Sequence, residues 1–163
     1  MVKRKFIPGA IILIALIIAA VMVVFLTSKR QQKISELTPP DQYIAAALAD
    51  GAFSVPLYAV DKDIGFMLYG LNSGDYSFAE FYLSDGATAE ELTYLTAKSA
   101  EAYNAALLAV ERRRKEQIAE CTGYLPAEIP KLENAVTQQA PADLTLSFAV
   151  ANDRAKLPAS LYE

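Results

Sequence analysis

Residues 88–98 read TAEELTYLTAK, and the fold turns on whether they coil or extend. Thr88 to Lys98 suits a helix by composition, with Glu90 and Glu91 in a first turn. Such a helix would run on without a break to Thr122. The same residues suit a strand from Glu91 to Thr96, pairing back through Asp85-Gly86, a dipeptide that favours tight hairpins. A run this short carries no periodicity that separates the two, and both readings stay open on the residues alone.

The neighbours are clearer. Upstream, Tyr76 to Leu83 (YSFAEFYL) is aromatic and mostly apolar, with Tyr76, Phe78, Glu80 and Tyr82 on one side and Ser77, Ala79, Phe81 and Leu83 on the other, which predicts a strand. Downstream, Ser99 is placed to cap a helix through Thr122. There Ala102, Tyr103, Ala106, Leu107, Val110, Arg114, Gln117 and Ile118 follow helical spacing, and Gly123 and Pro126 end it. The run Arg112-Arg113-Arg114-Lys115 spreads around the helix circumference, so it predicts a solvated surface paired with Glu111 and Glu116. Asp143 to Val150 (DLTLSFAV) sets Leu144, Leu146, Phe148 and Val150 against Asp143, Thr145, Ser147 and Ala149, a strand with one buried face. Gln139 to Ala142 reads as the turn before it, and Asn152-Asp153 as the cap of a short terminal helix carrying Leu157 and Leu161.

Earlier in the chain, Asp41 is placed to cap a helix from Gln42 to Ala49. Phe53 to Val60 is extended in character, and Pro56 confines it to an edge or to irregular structure. Asp61 to Gly65 reads as a solvated turn; it has half the ligand pattern of a calcium loop, without the third ligand position or the closing Glu. Asn72 to Asp75 is a further turn.

The longest apolar stretch is Phe6 to Leu26, 21 residues without a charge. At ~1.5 Å per residue it matches the thickness of a bilayer core, which predicts a single transmembrane helix. The expected organisation is a basic N-terminus at 1–5, the anchor at 6–26, a polar, proline-ended linker at 27–40, and a domain at 41–163. Thr27 to Arg30 is a poor cleavage site, so the anchor reads as an uncleaved signal-anchor. Three basic side chains flank it on each side. The terminal amine and the short N-terminal flank favour a cytoplasmic N-terminus and an extracytoplasmic domain. Ala15 and Ala19 form a small-xxx-small pair able to support helix pairing.

From Ile34 onward, nine Lys/Arg face 19 Asp/Glu, a net of −10. That acidity argues against nucleic-acid binding, which needs a basic field. The single cysteine, Cys121, cannot form an internal disulfide, and the chain has no histidine. Ser-His-Asp triads, Cys-His pairs and His-containing zinc sites are therefore excluded. No catalytic, cofactor-binding or metal-binding residue stands out. Glu80 and Glu91, on strands joined through Gly86, are the one pair of carboxylates that could meet for acid–base chemistry.

From Leu68 to Glu163 the chain resembles the family of domain of unknown function 4358, small extracytoplasmic bacterial proteins, many of them lipoproteins. The residues that carry the resemblance are Tyr69-Gly70-Leu71, Ala89-Glu90-Glu91-Leu92, Arg112 to Lys115, Tyr124-Leu125-Pro126, Lys131 to Val136 and Leu144 to Val150. It implies that Glu91 to Lys98 is a strand and that Leu132 to Thr137 pairs with Leu144 to Val150. It implies no activity. A membrane span stands here where a lipid-attachment cysteine would be usual.

The expected fold is thus α+β: after the transmembrane helix, a small two-layer domain with an antiparallel ββαββ sheet and one long helix across it. The expected function is a non-catalytic binding module at the cell envelope, whose partners are the lipid bilayer and an envelope protein or ligand. The alternatives are an accessory subunit of a larger membrane complex and a carboxylate-dependent enzyme.

Overall fold

The computed structural model describes residues 36–49 and 51–162. The expected anchor, its basic flanks and the expected linker as far as Ser35 lie outside the described residues. Among the described residues no helix is long and apolar enough to cross a membrane.

Residues 88–98 extend. Strand β3 (Glu91–Ala97) pairs with β2 (Tyr76–Leu83), which begins and ends where the alternation of its side chains does. Helix α3 (Ala100–Tyr124) follows. Ser99 caps it, accepting a hydrogen bond from the Ala102 N–H at 3.2 Å, and this cap separates strand from helix. The chain then forms a short helix α4 (Ile129–Glu133) and the hairpin β4 (Val136–Ala140) and β5 (Thr145–Val150). A two-residue strand β1 (Tyr58–Ala59) adds an edge, just past Pro56. All pairs are antiparallel, in the order β1-β2-β3-β5-β4. The ββαββ frame is present, widened by one edge strand.

Several boundaries differ from the sequence reading. Leu132 belongs to α4, started by Pro130 in its first turn, and not to a strand. Extension begins only at Val136, and Gln139 and Ala140, expected in a turn, pair with Leu146 and Thr145. Pro141 breaks the ladder, and Leu144 sits at φ 51° in the left-handed region and outside the strand. Asp61 to Gly65 is no turn. Asp61 accepts from the Asp63 N–H at 2.9 Å and caps helix α2 (Lys62–Tyr69). Helix α1 starts at Pro40 and runs to Ala49, which puts Asp41 inside its first turn. The expected terminal helix is a single 3-10 turn, Arg154–Lys156, with Asp153 as its cap.

The largest departure concerns layers. The strand β5 is buried along its whole length, on both faces. One face carries Phe81, Leu95, Leu146, Phe148 and Val150 beneath α2 and α3. On the other, Leu92, Tyr94 and Ala149 lie under Tyr43, Ile44 and Ala47 of α1 and under Leu157 and Leu161 of the C-terminal segment. The sheet is covered on both sides, where the sequence reading had one. The cover is held by Thr38 N–H donating to the Leu161 carbonyl and Asp153 N–H to Ala52, each at 2.9 Å.

Close approach of helices to the first face rests on small residues. Ala102, Ala106 and Ala109 are buried on α3. A Cβ on Gly65 would fall 2.1 Å from the Phe81 ring, so glycine there lets α2 lie directly on β2.

Candidate functional site

Adjacent residues of extended chain point to opposite faces, so Glu90, just before β3, and Glu91, its first residue, part company. Both are buried, at 1% and 0% exposure. Each is met by a cation on a helix.

Glu90 is bound by the Lys131 ammonium at 2.7 Å, the Ser54 hydroxyl at 2.6 Å and the Ser54 N–H at 2.8 Å. Lys131 also bridges to Glu128 at 3.0 Å, which accepts from the Ala89 N–H. Burial pushes the Glu90 carboxyl up, but Lys131 and Ser54 outweigh it and hold it below the ordinary value. This cluster ties the loop after α1, the start of β3 and α4 together.

Glu91 points beneath α3. Its Oε2 accepts from Arg113 Nη2 at 3.1 Å, Arg113 Nε at 3.3 Å and Gln117 Nε2 at 3.2 Å, and its Oε1 accepts from the Tyr69 hydroxyl at 3.0 Å. Tyr69 accepts in turn from Thr93 Oγ1 at 2.9 Å. Burial raises the Glu91 carboxyl above its usual value, with Arg113 working against it. Burial also opposes the Arg113 charge, and Glu91 outweighs that and keeps the guanidinium protonated. The Tyr69 hydroxyl is raised well above the ordinary tyrosine value by its burial, and further by Glu91.

Above this ion pair lies a cavity of about 180 Å³ between the β2–β3 loop and the C-terminal half of α3. Glu91, Arg113, Gln117 and Cys121 line its inner part; Gly86 and Tyr124 are exposed on its wall. Cys121 is a free, buried thiol whose pKa is raised, first of all by burial.

The structure does not unite Glu80 with Glu91. Glu80 pairs across the ladder with Tyr94 and Glu91 with Leu83, so the two acids lie on opposite faces. Glu80 forms a 3.1 Å ion pair with Lys62. The basic run is likewise divided. Arg114 pairs with Glu111 at 2.6 Å and Arg112 with Glu116 at 3.6 Å, as the solvated reading expects. Arg113 instead goes under the helix, and Arg112 also donates to the Tyr69 carbonyl. The inward stripe runs Ala106, Val110, Arg113, Gln117, Cys121 and not through Arg114. Tyr69, Glu90, Gln117, Cys121 and Lys131 were not read as site residues. The available signal was polar side chains at inward helical spacing beyond Val110. Among the described residues no group of three or more His, Cys, Asp or Glu is placed to hold a metal ion.

The fold and this site define a class: a small α+β domain with an antiparallel sheet whose central strand is entered through two buried glutamates, each paired to a helix-borne cation. The chain belongs to the family described as domain of unknown function (DUF4358), which it matches over residues 56–151. The match takes in α2 and ends after β5, so it starts before Leu68 and leaves out the C-terminal segment. Comparison with curated proteins and with solved structures gives no match.

Proposed function

We propose that this chain is a single-pass, membrane-anchored binding module of the bacterial cell envelope, with a cytoplasmic N-terminus and an extracytoplasmic domain that takes its ligand in the cavity above Glu91 and Arg113. The observation that carries the binding role is the state of Glu91. Both its oxygens accept hydrogen bonds, from Tyr69, Arg113 and Gln117, and it has no exposure. A carboxylate so held supports a rigid, preformed wall better than it supports proton transfer, which needs a group free to reach a substrate. The buried Glu90 and Glu128 are likewise ion-paired. The anchoring half of the proposal rests on the uncharged run Phe6–Leu26.

Carbonate extraction tests the anchor. Intact protein is expected to stay with the membrane pellet. Recovery in the soluble fraction, trimmed near Ser28, would overturn it. The accessory-subunit reading draws on Ala15 and Ala19 alone; Leu at both positions would abolish helix pairing in detergent if the span were the contact.

A further inference from the structure

Helix α1 is apolar on both of its sides. Tyr43, Ile44 and Ala47 face the sheet and are buried, while Ala45, Ala46 and Ala49 face outward and are exposed. Its polar residues, Asp41 and Gln42, stand in the first turn. A helix that is apolar all round is ordinarily covered all round. Here the outer side is open.

The chain beyond α1 continues the pattern. From Gln42 to Val60 the one charged residue is Asp50, in a chain of which 21% is charged. Leu48, Phe53, Val55 and Leu57, each half-buried, line a cavity of about 460 Å³ at the C-terminal end of α1. Lys156 lies at its Gly51 rim, 3.9 Å from Asp153. The helix on the other face of the sheet is the contrast. The outward side of α3 carries Glu101, Glu111, Arg112, Lys115, Glu116 and Glu120, all exposed, a surface made for water.

The course of the chain indicates what covers the α1 side. Leu37 packs into the layer of α1, and Thr38 N–H donates to the Leu161 carbonyl, so the domain is entered on its α1 face. Residues 27–35 separate the expected span from Glu36, and fully extended they reach at most about 35 Å. Lipid is thus an apolar phase within reach of this face. Lys156 and the exposed Arg154 offer cations to phosphate headgroups at its border.

We propose that the α1 face is an interfacial membrane contact. Ala45, Ala46 and Ala49 lie at the level of the lipid headgroups, and the cavity beside Leu48 and Phe53 takes acyl-chain carbons. The inference rests on the reading of the chain as membrane-anchored and adds the surface by which the domain meets that membrane.

The chain has no tryptophan, so a single one reports its own surroundings. Ala46→Trp on α1 and Ala105→Trp on α3 replace exposed alanines on opposite faces of the sheet. The full-length variants are reconstituted in phosphatidylcholine vesicles, with and without bromine on the acyl chains, then floated and extracted with carbonate. Ala46→Trp is expected to be quenched by brominated lipid about twofold or more beyond Ala105→Trp. Adding Ala45→Glu, which brings a carboxylate to the interface, is expected to remove about half or more of that quenching. Equal quenching of the two tryptophans, or quenching indifferent to Ala45→Glu, overturns the contact, and carbonate resistance then keeps the anchor. A blue shift of Ala46→Trp that grows with the protein-to-lipid ratio, without quenching, puts a second copy on this face and overturns the lipid contact. Quenching of Ala46→Trp alone, in a chain that carbonate strips from the vesicles, discards the anchor and keeps the contact. A chain that does not float with the vesicles overturns both.

Discussion

Arg113 reaches from the middle of the long helix to Glu91 at 3.1 Å, closing an ion pair in which the carboxylate has no exposure and the guanidinium little. Removing one partner leaves the other charge buried alone, which costs about 3–5 kcal/mol, whereas removing both does not. Arg113→Met strands the carboxylate and is expected to lose that amount in denaturant unfolding, whereas Glu91→Gln, which removes a carboxylate that burial already disfavours, is expected to lose less. The double variant is expected to recover at least half of the Arg113→Met loss, and strict additivity would count against the pair as the organising contact.

The β5 strand supplies a second contrast. Phe148→Ala empties a site in the main core and is expected to cost about 3–5 kcal/mol. Its neighbour Ser147 is equally buried, but faces α1 with a hydroxyl that lies near the Tyr43 hydroxyl without a well-formed hydrogen bond. Ser147→Ala removes an unsatisfied group and is expected to be neutral or stabilising in the same assay. A loss above about 2 kcal/mol would mean that the hydroxyl is bonded.

How much of this was legible in advance follows from those residues. The alternation through Leu146, Phe148 and Val150 reads directly as a buried face, and YSFAEFYL as its neighbour. That Ser147 and Thr145 are buried as well was not legible, because their cover comes from α1 and from the segment around Leu157 and Leu161, distant in sequence. Arg113 was hidden for a related reason. In a run of four basic residues the helical period alone selects the inward one, and a phase error of one residue points to Arg114. The glutamates were visible, but their cations lie 22 and 41 residues downstream, a separation that no local pattern reports.

Glycine substitutions test the helix packing. Gly65→Ala places a Cβ against the Phe81 ring and is expected to destabilise by about 1–3 kcal/mol. Gly123→Ala, in the last turn of α3 with nothing within 4 Å, is expected to stabilise by about 0.5–1 kcal/mol. Thermal melts of the two variants should move in opposite directions.

The two glutamates act oppositely on acid stability. The Glu90 carboxyl is held below its ordinary value of 4.5, so the unfolded chain binds more protons and stability falls as pH drops below that value toward the folded pKa. For Glu91, raised above 4.5, the folded chain binds more protons, and stability falls as pH rises from 4.5 through the folded pKa. Glu90→Gln should therefore flatten the acid limb of the stability–pH profile, and Glu91→Gln should steepen it. The same change in both variants would contradict the two environments.

Protease accessibility of the intact chain tests the central functional claim most directly. Protease added to spheroplasts is expected to digest residues 34–163, and the same protease added to inside-out vesicles is expected to leave them whole. Protection in spheroplasts with digestion in inside-out vesicles would place the domain on the cytoplasmic side and contradict the envelope-facing module.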